Sequence, residues 1–560
     1  MTDSTATGGL LDRATTIAKP GFNRWLVPPA ALAIHLCIGM AYGFSVFWVP
    51  LGKVIALATG AAKSVACPGD PSTFMGKVGI TANALFATNC DWTQFDLGWM
   101  YTLFFVVLGI SAAIWGGWLE RSGPRKAGVV AAICWCGGLL LGALGVYIHQ
   151  LWLMWLGAGV IGGIGLGLGY ISPVSTLIKW FPDRRGMATG MAIMGFGGGA
   201  MIGTPLANIL MNYFKTANTV GVWQTLVCFA AIYGVFMLAG AFMYRVPPEG
   251  WVPEGWTPPA ANSNTMITTG NVHLKDAHRT PQFWLIWIVL CMNVSAGIGI
   301  IGAASPMLQE TFGGRLFGDA ATIFEKFTPE NATKAAGIGA AFVGLFSLFN
   351  IIGRFFWASL SDKLGRKNTY FVFFVLGIAC YAALALFASM TTAALFAIAL
   401  CLIASMYGGG FATVPAYLSD MFGTLFVGAI HGRLLTAWST AGIVGPVIVN
   451  YLHDNAKAAG TPASAIYPSI FYVLLVLLAI GLVANALVKP VDPKWFMSKD
   501  DVAKVLAERH AQTSAATTGS FGIDRGSLTT GPALIAWALV GIPILWGAWQ
   551  TLSKTLFLFQ

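Results

Sequence analysis

Long apolar runs separated by short polar stretches recur thirteen times along this chain, near residues 25–50, 94–118, 127–148, 151–178, 186–213, 222–244, 281–308, 336–360, 368–389, 391–419, 427–452, 468–488 and 532–553. About twenty apolar residues span a bilayer as a helix. The runs are apolar on every side and do not alternate with polar residues, so a membrane β-barrel is excluded. The pattern predicts an all-α polytopic membrane protein with thirteen spans.

The polar intervals divide the chain. Residues 1–24 read as a tail, 25–246 as a six-helix half with a long loop at 51–93, and 247–280 as a linker with Pro247, Pro248, Pro253, Pro258 and Pro259. Residues 281–489 read as a second six-helix half with an insertion at about 309–335. A polar segment at 490–531, with a short helix around Asp500–Ala511, leads to an extra helix at 532–560. The 51–93 loop carries the turn signal Pro68-Gly69-Asp70-Pro71.

One charged signature occurs twice. The first copy is Gly116-x-x-x-Glu120-Arg121-x-Gly123-x-Arg125-Lys126 and the second is Ala358-x-x-x-Asp362-Lys363-x-Gly365-Arg366-Lys367. Glu120 and Asp362 are 242 residues apart, as are Gly123 and Gly365, while Phe181 to Phe422 and Pro205 to Pro446 are 241 apart. Two similar apolar halves form a duplicated bundle, and such bundles bind substrate between the halves and rock around it. Each acid can cap a neighbouring helix start, where anions are stabilised, with the basic residues pairing to it as a latch.

Composition agrees with lipid as solvent. Charged residues are 10% of 560 and hydrophobic residues 56%, against roughly 25% charged in a soluble protein. The net charge of +10 is an orientation signal and not a nucleic-acid footprint. With the N-terminus cytoplasmic, inside loops hold 22 of the 32 Lys and Arg and outside loops hold 9, with Arg354 inside a span. The C-terminus then lies outside. No signal peptide precedes the first span, which is expected to target the chain and be retained. Seven of nine cysteines lie in spans; Cys67 and Cys90 share the 51–93 loop and are expected to pair if that side is oxidising.

The cytoplasmic loops resemble those of the major facilitator superfamily over about residues 25–490. Tyr170-x-x-Pro173, Lys179-Trp180-Phe181-Pro182-Asp183-Arg184-Arg185-Gly186, Gly195-Phe196-Gly197-Gly198-Gly199, Tyr407-Gly408-Gly409-Gly410-Phe411-Ala412-x-x-Pro415 and Thr436-Ala437-Trp438 are similar to the oxalate/formate antiporter family, relatives of the monocarboxylate transporters. The resemblance implies exchange or symport of small carboxylates in a bacterial inner membrane. Residues 532–558 resemble the single-helix small proteins that accompany some such transporters; a generic anchor is the other reading.

Arg354 is the sharpest candidate. Its symmetry counterpart is Ala112, so the duplicated scaffold does not require a charge there. An arginine near a helix centre costs about 2.5–3.5 kcal/mol on insertion scales, and its planar fork matches a carboxylate; snorkelling toward the cytoplasmic surface is the alternative. The resemblance places a substrate-binding arginine at this position. Asn350 lies one turn away on the same face. Proton-coupled monocarboxylate transporters commonly carry a carboxylate there, whereas the oxalate/formate exchangers carry an amide. Those exchangers also carry a lysine on the eleventh span, which is missing here: the only strong base of that span is Arg433 near its end. One central cation suits a monoanion better than a dianion.

Tyr42, Phe47, Tyr170, Tyr407, Phe411 and Trp438 are candidates to line the path. His35 is the candidate proton carrier, with an interhelical hydrogen bond as its other reading. The glycines of Gly162–Gly169 lack a following Lys-Ser or Lys-Thr, so they read as close helix packing and not a nucleotide loop. No paired carboxylates or metal-ligand spacing mark a span, so no enzyme, cofactor or metal is expected. The reading is a monomeric secondary transporter of a small monocarboxylate such as formate, lactate or pyruvate, with oxalate less favoured. Exchange is preferred over proton symport, and a transporter-like carboxylate sensor is the alternative of another class.

Overall fold

The computed structural model describes residues 9–61, 64–70, 73–248, 251–257, 266–390, 392–511, 528 and 530–555. Thirteen of its helices are long and apolar enough to cross a membrane: α1 (Arg24–Phe44), α2 (Phe95–Ser122), α3 (Pro124–Tyr147), α4 (Leu151–Trp180), α5 (Arg185–Phe214), α6 (Val222–Met243), α7 (Pro281–Phe317), α8 (Ala341–Leu364), α9 (Arg366–Ser389), α10 (Ala393–Phe422), α11 (Val427–His453), α12 (Ala463–Leu487) and α13 (Gly531–Ser553). The protein is an integral membrane protein with a twelve-helix core and one added helix. Pro71, Pro258, Pro259 and residues 512–527 and 529 of the 490–531 segment lie outside the described residues.

Both copies of the loop signature sit at one end of the bundle, here the motif face. Gly123 and Gly365 have φ +87° and +81°, a backbone shape that side chains rarely adopt, and each turns the chain from one span directly into the next. The opposite end carries the 51–93 loop, in which Cys67 and Cys90 are disulfide-bonded; this is the disulfide face. There the Asp91 carboxylate accepts from the amides of Ile55 (2.7 Å), Ala56 (3.2 Å) and Val65 (2.8 Å), capping the short helix Val54–Thr59.

The halves meet along two seams, α2 with α11 and α5 with α8. Small residues let these helices touch. A Cβ on Gly432 of α11 would strike the Ala112 carbonyl of α2, and one on Gly190 of α5 would lie 2.8 Å from the Arg354 carbonyl of α8. In span 1 the continuation Gly39–Phe47 tightens to a 3-10 helix. Helix α8 belongs to a longer helix beginning at Pro329, one to two turns before the span expected from sequence, because Thr328 caps it through the Asn331 amide.

The added helix α13 lies over the α5–α8 seam. Its Gly547 sits against the Met201 carbonyl, where a Cβ would be 3.0 Å away, and Thr551 abuts Gly344 of α8. Nearer its start, Val540 and Trp537 pack with Leu32, Leu36 and Met194. Across the motif face, the linker is pinned by Thr268 N to Asp420 O (2.8 Å), Val272 N to Phe422 O (2.9 Å) and Met497 N to Asn271 O (2.8 Å). The helix Lys499–Ala511 follows.

Candidate functional site

Midway through the bundle, aromatic rings from six spans gather around Arg354. Its side chain is fully buried. Nε donates to Asn350 Oδ1 (2.7 Å) and Nη1 to the Ile193 carbonyl of α5 (3.3 Å), while Nη2 has no hydrogen-bond partner among the described residues. The guanidinium carbon is 5.4 Å from the Phe411 ring centre and 5.8 Å from that of Phe196. The direct bond between Asn350 and Arg354 is the expected i, i+4 geometry. It fixes the plane of the fork and leaves one edge open.

The glycine run on α5 makes room for this. A Cβ at Gly197 would lie 2.9 Å from Asn350 Oδ1 and 3.0 Å from Arg354 Nε. Any side chain there displaces the pair.

Trp438 is the hub of the cage, with ring centres 4.3 Å from Phe411, 5.3 Å from Tyr170, 5.3 Å from Phe196 and 5.4 Å from Phe105. Tyr42 and Tyr407 join their hydroxyls across the halves at 3.0 Å, closing the cage toward the disulfide face. Tyr42 and Tyr170 are within electrostatic reach of the guanidinium. Arg354, Tyr170 and Trp438 are all fully buried, so the site is closed from both ends. Tyr170 Oη and Trp438 Nε1, like Arg354 Nη2, have no hydrogen-bond partner among the described residues. An unsatisfied buried donor costs about 1–3 kcal/mol, so three together mark a place for an acceptor.

The structure brings seven of the eight expected binding residues, together with Phe196, into one cluster. Phe47 stands apart: its ring packs on Phe44 (5.1 Å) and Phe229 of α6 (6.4 Å). Five residues separate it from Tyr42, which puts the two on different faces of the helix. His35 is fully buried, with Nδ1 on the Ala192 carbonyl and Nε2 3.2 Å from the Tyr170 carbonyl. Arg433 points away from the centre and donates to the Leu274 carbonyl (2.6 Å), beside His278 Nδ1 (2.8 Å).

Sequence reasoning passed over His431 of α11. It is fully buried, its ring centre is 5.9 Å from that of Tyr170, and neither ring nitrogen has a hydrogen-bond partner among the described residues. Phe105 and Ile193 were also missed; only the Gly195-Phe196-Gly197 pattern hinted at the α5 side of the cage.

At the motif face, Asp362 accepts from the amides of Gly186 (2.8 Å) and Met187 (3.0 Å) in the first turn of α5. Arg366 ties it to Asp420: Nη2 to Asp362 (2.6 Å), Nε to Asp420 (3.0 Å). Arg185 reaches Asp420 from the other half at 3.1 Å. In the first copy the partners differ from the expected latch. Glu120 accepts from Lys179 (2.8 Å) and Ser175 (3.1 Å) of α4. Arg125 instead holds the N-terminal segment through the Leu10 carbonyl (3.0 Å) and Thr15 Oγ1 (3.1 Å). Arg121 and Lys363 are exposed. Above this layer a cavity of about 540 Å³ is lined by Glu120, Ser175, Lys179, Arg185, Trp251 and Asn271. Among the described residues no group of three His, Cys, Asp or Glu could hold a metal ion.

The bundle, with its loop signature repeated in both halves, has the architecture of a secondary transporter that works by alternating access. The sequence profile of the Major Facilitator Superfamily matches residues 71–446 and again 328–560, and the chain belongs to that superfamily. It is 25% identical over 347 residues to the uncharacterized MFS-type transporter YhjX of Escherichia coli (strain K12), covering 61% of this chain and 75% of that one. It is 27% identical over 285 residues to the oxalate:formate antiporter of Oxalobacter formigenes, covering 51% of this chain and only 59% of the antiporter. Apicoplast pyruvate carrier 1 of Toxoplasma gondii is 23% identical over 453 residues, covering 71% of this chain and 78% of the carrier. A bacterial homologue of the iron transporter ferroportin shares the fold, with a TM-score of 0.52 at 14% identity over 84% of this chain and 99% of that one.

Proposed function

We propose that this protein carries small monocarboxylates across a bacterial inner membrane by exchange, as a member of the oxalate/formate antiporter family. The observation that carries the reading is the unpartnered Nη2 of the fully buried Arg354. A buried guanidinium with an open edge calls for an anion, and a carboxylate offers two coplanar oxygens to that edge. Trp438 Nε1 and Tyr170 Oη would donate to the remaining lone pairs of the same anion. The cage excludes water, which strengthens the attraction. Similarity to proteins named for oxalate, formate and pyruvate supports the same class.

The motif face is read as cytoplasmic, from the bias of basic residues. Asp362, Arg366, Asp420 and Arg185 then form the inner gate that must part when the site opens inward. An empty site leaves Arg354 uncompensated, and moving it through the apolar seam is costly; a loaded site is neutral and returns. Exchange follows from that difference. Residues 25–246 and 281–489 are taken as the two moving halves, with 247–280 as their cytoplasmic link and the protein acting as a monomer.

Counterflow in proteoliposomes tests the reading. Vesicles preloaded with an unlabelled C1–C4 carboxylate should transiently accumulate labelled carboxylate from outside. A panel in which no carboxylate drives accumulation, while a neutral sugar does, would overturn it.

A further inference from the structure

The added helix α13 is joined to the two halves unequally along its length. At the motif face Asn23, just before α1, donates through Nδ2 to Thr530 Oγ1 (3.0 Å). Further along, Trp537 and Val540 pack with Leu32, Leu36 and Met194 of α1 and α5. All of these partners belong to the first half. Close approach to the second half comes near the other end. There a Cβ on Gly344 of α8 would lie 2.9 Å from Thr551 Oγ1 and 3.4 Å from Thr551 Cβ, while Gly547, one turn earlier, keeps its hold on Met201 and Ile202 of α5. Thr551 is 20 residues past Gly531, and Gly344 is 20 residues before Leu364. Both therefore stand about 30 Å from the motif face by helix rise.

Nearer the motif face the same side of α8 looks outward. Phe355 follows Gly344 by 11 residues, three turns on one face, and is 41% exposed; Ile352 is 50% exposed. At that depth Val540 of α13 is buried against the first half instead. The symmetry counterpart of Gly344, 242 residues earlier, is Thr102 of α2. The duplicated scaffold thus accepts a side chain at this point, and the half that meets α13 leaves it out.

We propose that α13 is a staple on the α5–α8 seam that acts at the disulfide face and not at the motif face. When two halves rock about a central site, each seam parts at one end while the other end stays closed. Opening at the disulfide face must lift Gly344 away from Thr551. Opening at the motif face leaves that contact in place, because α13 there travels with the first half. The helix therefore biases the carrier against the state open at the disulfide face. Weakening the contact must shift the population toward that state, and by the same shift close the motif face more often. The inference rests on alternating access and not on which cargo the site takes.

Two full-length variants in lipid nanodiscs push the contact in opposite directions. Gly344→Leu is a wedge, since its side chain has no room beside Thr551. Gly344→Cys combined with Thr551→Cys is a lock, since a Cβ separation of 3.4 Å is close to that of a disulfide. Hydrogen exchange reads both ends of the seam: residues 206–212 and 341–347 at the disulfide face, and 186–189 at the motif face. In the wedge, exchange should quicken about fivefold or more at the disulfide face and slow at the motif face, because one population gains at the expense of the other. The oxidised lock should do the reverse, and reductant should cancel its effect. Each single-cysteine variant under the same reductant controls for the Cys67–Cys90 bridge. Faster exchange at both ends of the wedge would mark α13 as ordinary packing and overturn the proposal. Exchange unchanged at both ends in the oxidised lock, or cysteines that fail to bridge, would overturn it too. Should melting curves show that the wedge does not fold, the oxidised and reduced lock decide alone.

Discussion

Helices α2 and α8 hold equivalent places in the two halves, and their backbones pack alike. The Ala112 carbonyl of α2 presses on Gly432 of α11, and the Arg354 carbonyl of α8 presses on Gly190 of α5. Gly167 crowds the α2 backbone at Leu108 and Ala112, and Gly408 crowds α8 at Asn350 and Arg354. The acids repeat too, with Glu120 against Gly428 and Asp362 against Gly186. Every one of these correspondences spans 241 or 242 residues. What does not repeat is the side chain: alanine in one half, arginine in the other. The scaffold is therefore satisfied without a charge, and Arg354 answers to something other than packing.

The largest expected effect concerns that lone charge. If the unpaired arginine blocks return of the empty carrier, efflux from loaded proteoliposomes should rise about a hundredfold on adding external carboxylate. That factor corresponds to the roughly 2.5–3.5 kcal/mol insertion cost. Equal efflux into carboxylate-free buffer would remove the barrier from the account.

The gates supply a smaller contrast. Asp362 bonds two amides of the opposite half, whereas Glu120 is engaged by Lys179 and Ser175 of its own half. Asp362→Asn weakens charge-assisted bonds worth about 1.5–3 kcal/mol. Hydrogen exchange of the 186–189 amides should quicken about tenfold or more, and Glu120→Gln should leave those amides within a few-fold. Equal effects from both variants would make the two gates equivalent.

Much of this contrast was legible in the chain. Lipid imposes runs of about twenty apolar residues, so the spans declared themselves, and the paired signatures disclosed the duplication. Arg354 stood out because charge inside a span is costly. Phe47 and Tyr42 differ by five residues, a spacing that already puts them on different faces of a helix, so grouping them was a misreading of the spacing. His431 was hidden by its place, four residues into α11 and beside Arg433, where polarity reads as a helix end. It is buried because small residues, Ala429 and Gly432, bring α2 onto α11. The partner of Glu120 came from α4, a contact that only the folded bundle reveals.

A finer test of the α8 side uses Gly197. Its missing Cβ leaves the space that Asn350 and Arg354 occupy, so Gly197→Ala should lower carboxylate affinity about fivefold to tenfold in counterflow. Gly79, whose added Cβ would meet nothing, should tolerate alanine unchanged.

The smallest effect lies at the disulfide face. His149 stacks on Trp92 at 4.5 Å and its Nε2 contacts the Cys90 carbonyl at 2.7 Å. Burial pulls its pKa below the ordinary value of 6.5, against the raising effects of the Cys90 carbonyl and Asp91. The unfolded loop therefore binds the proton more readily, and stability present above about pH 6.5 is lost as pH falls toward the folded pKa. Limited proteolysis of the 51–93 loop should quicken modestly from pH 7.5 to pH 5, and His149→Gln should flatten that dependence.

The most direct test of the central claim is counterflow of a labelled monocarboxylate by Arg354→Gln and Arg354→Lys, each checked for normal expression and melting. Gln removes the charge and Lys removes the two-point fork. Arg354 as the carboxylate ligand predicts that both fold and that flux falls at least a hundredfold in each. Near-normal counterflow by a folded Arg354→Gln protein would contradict it and leave Arg354 a structural residue.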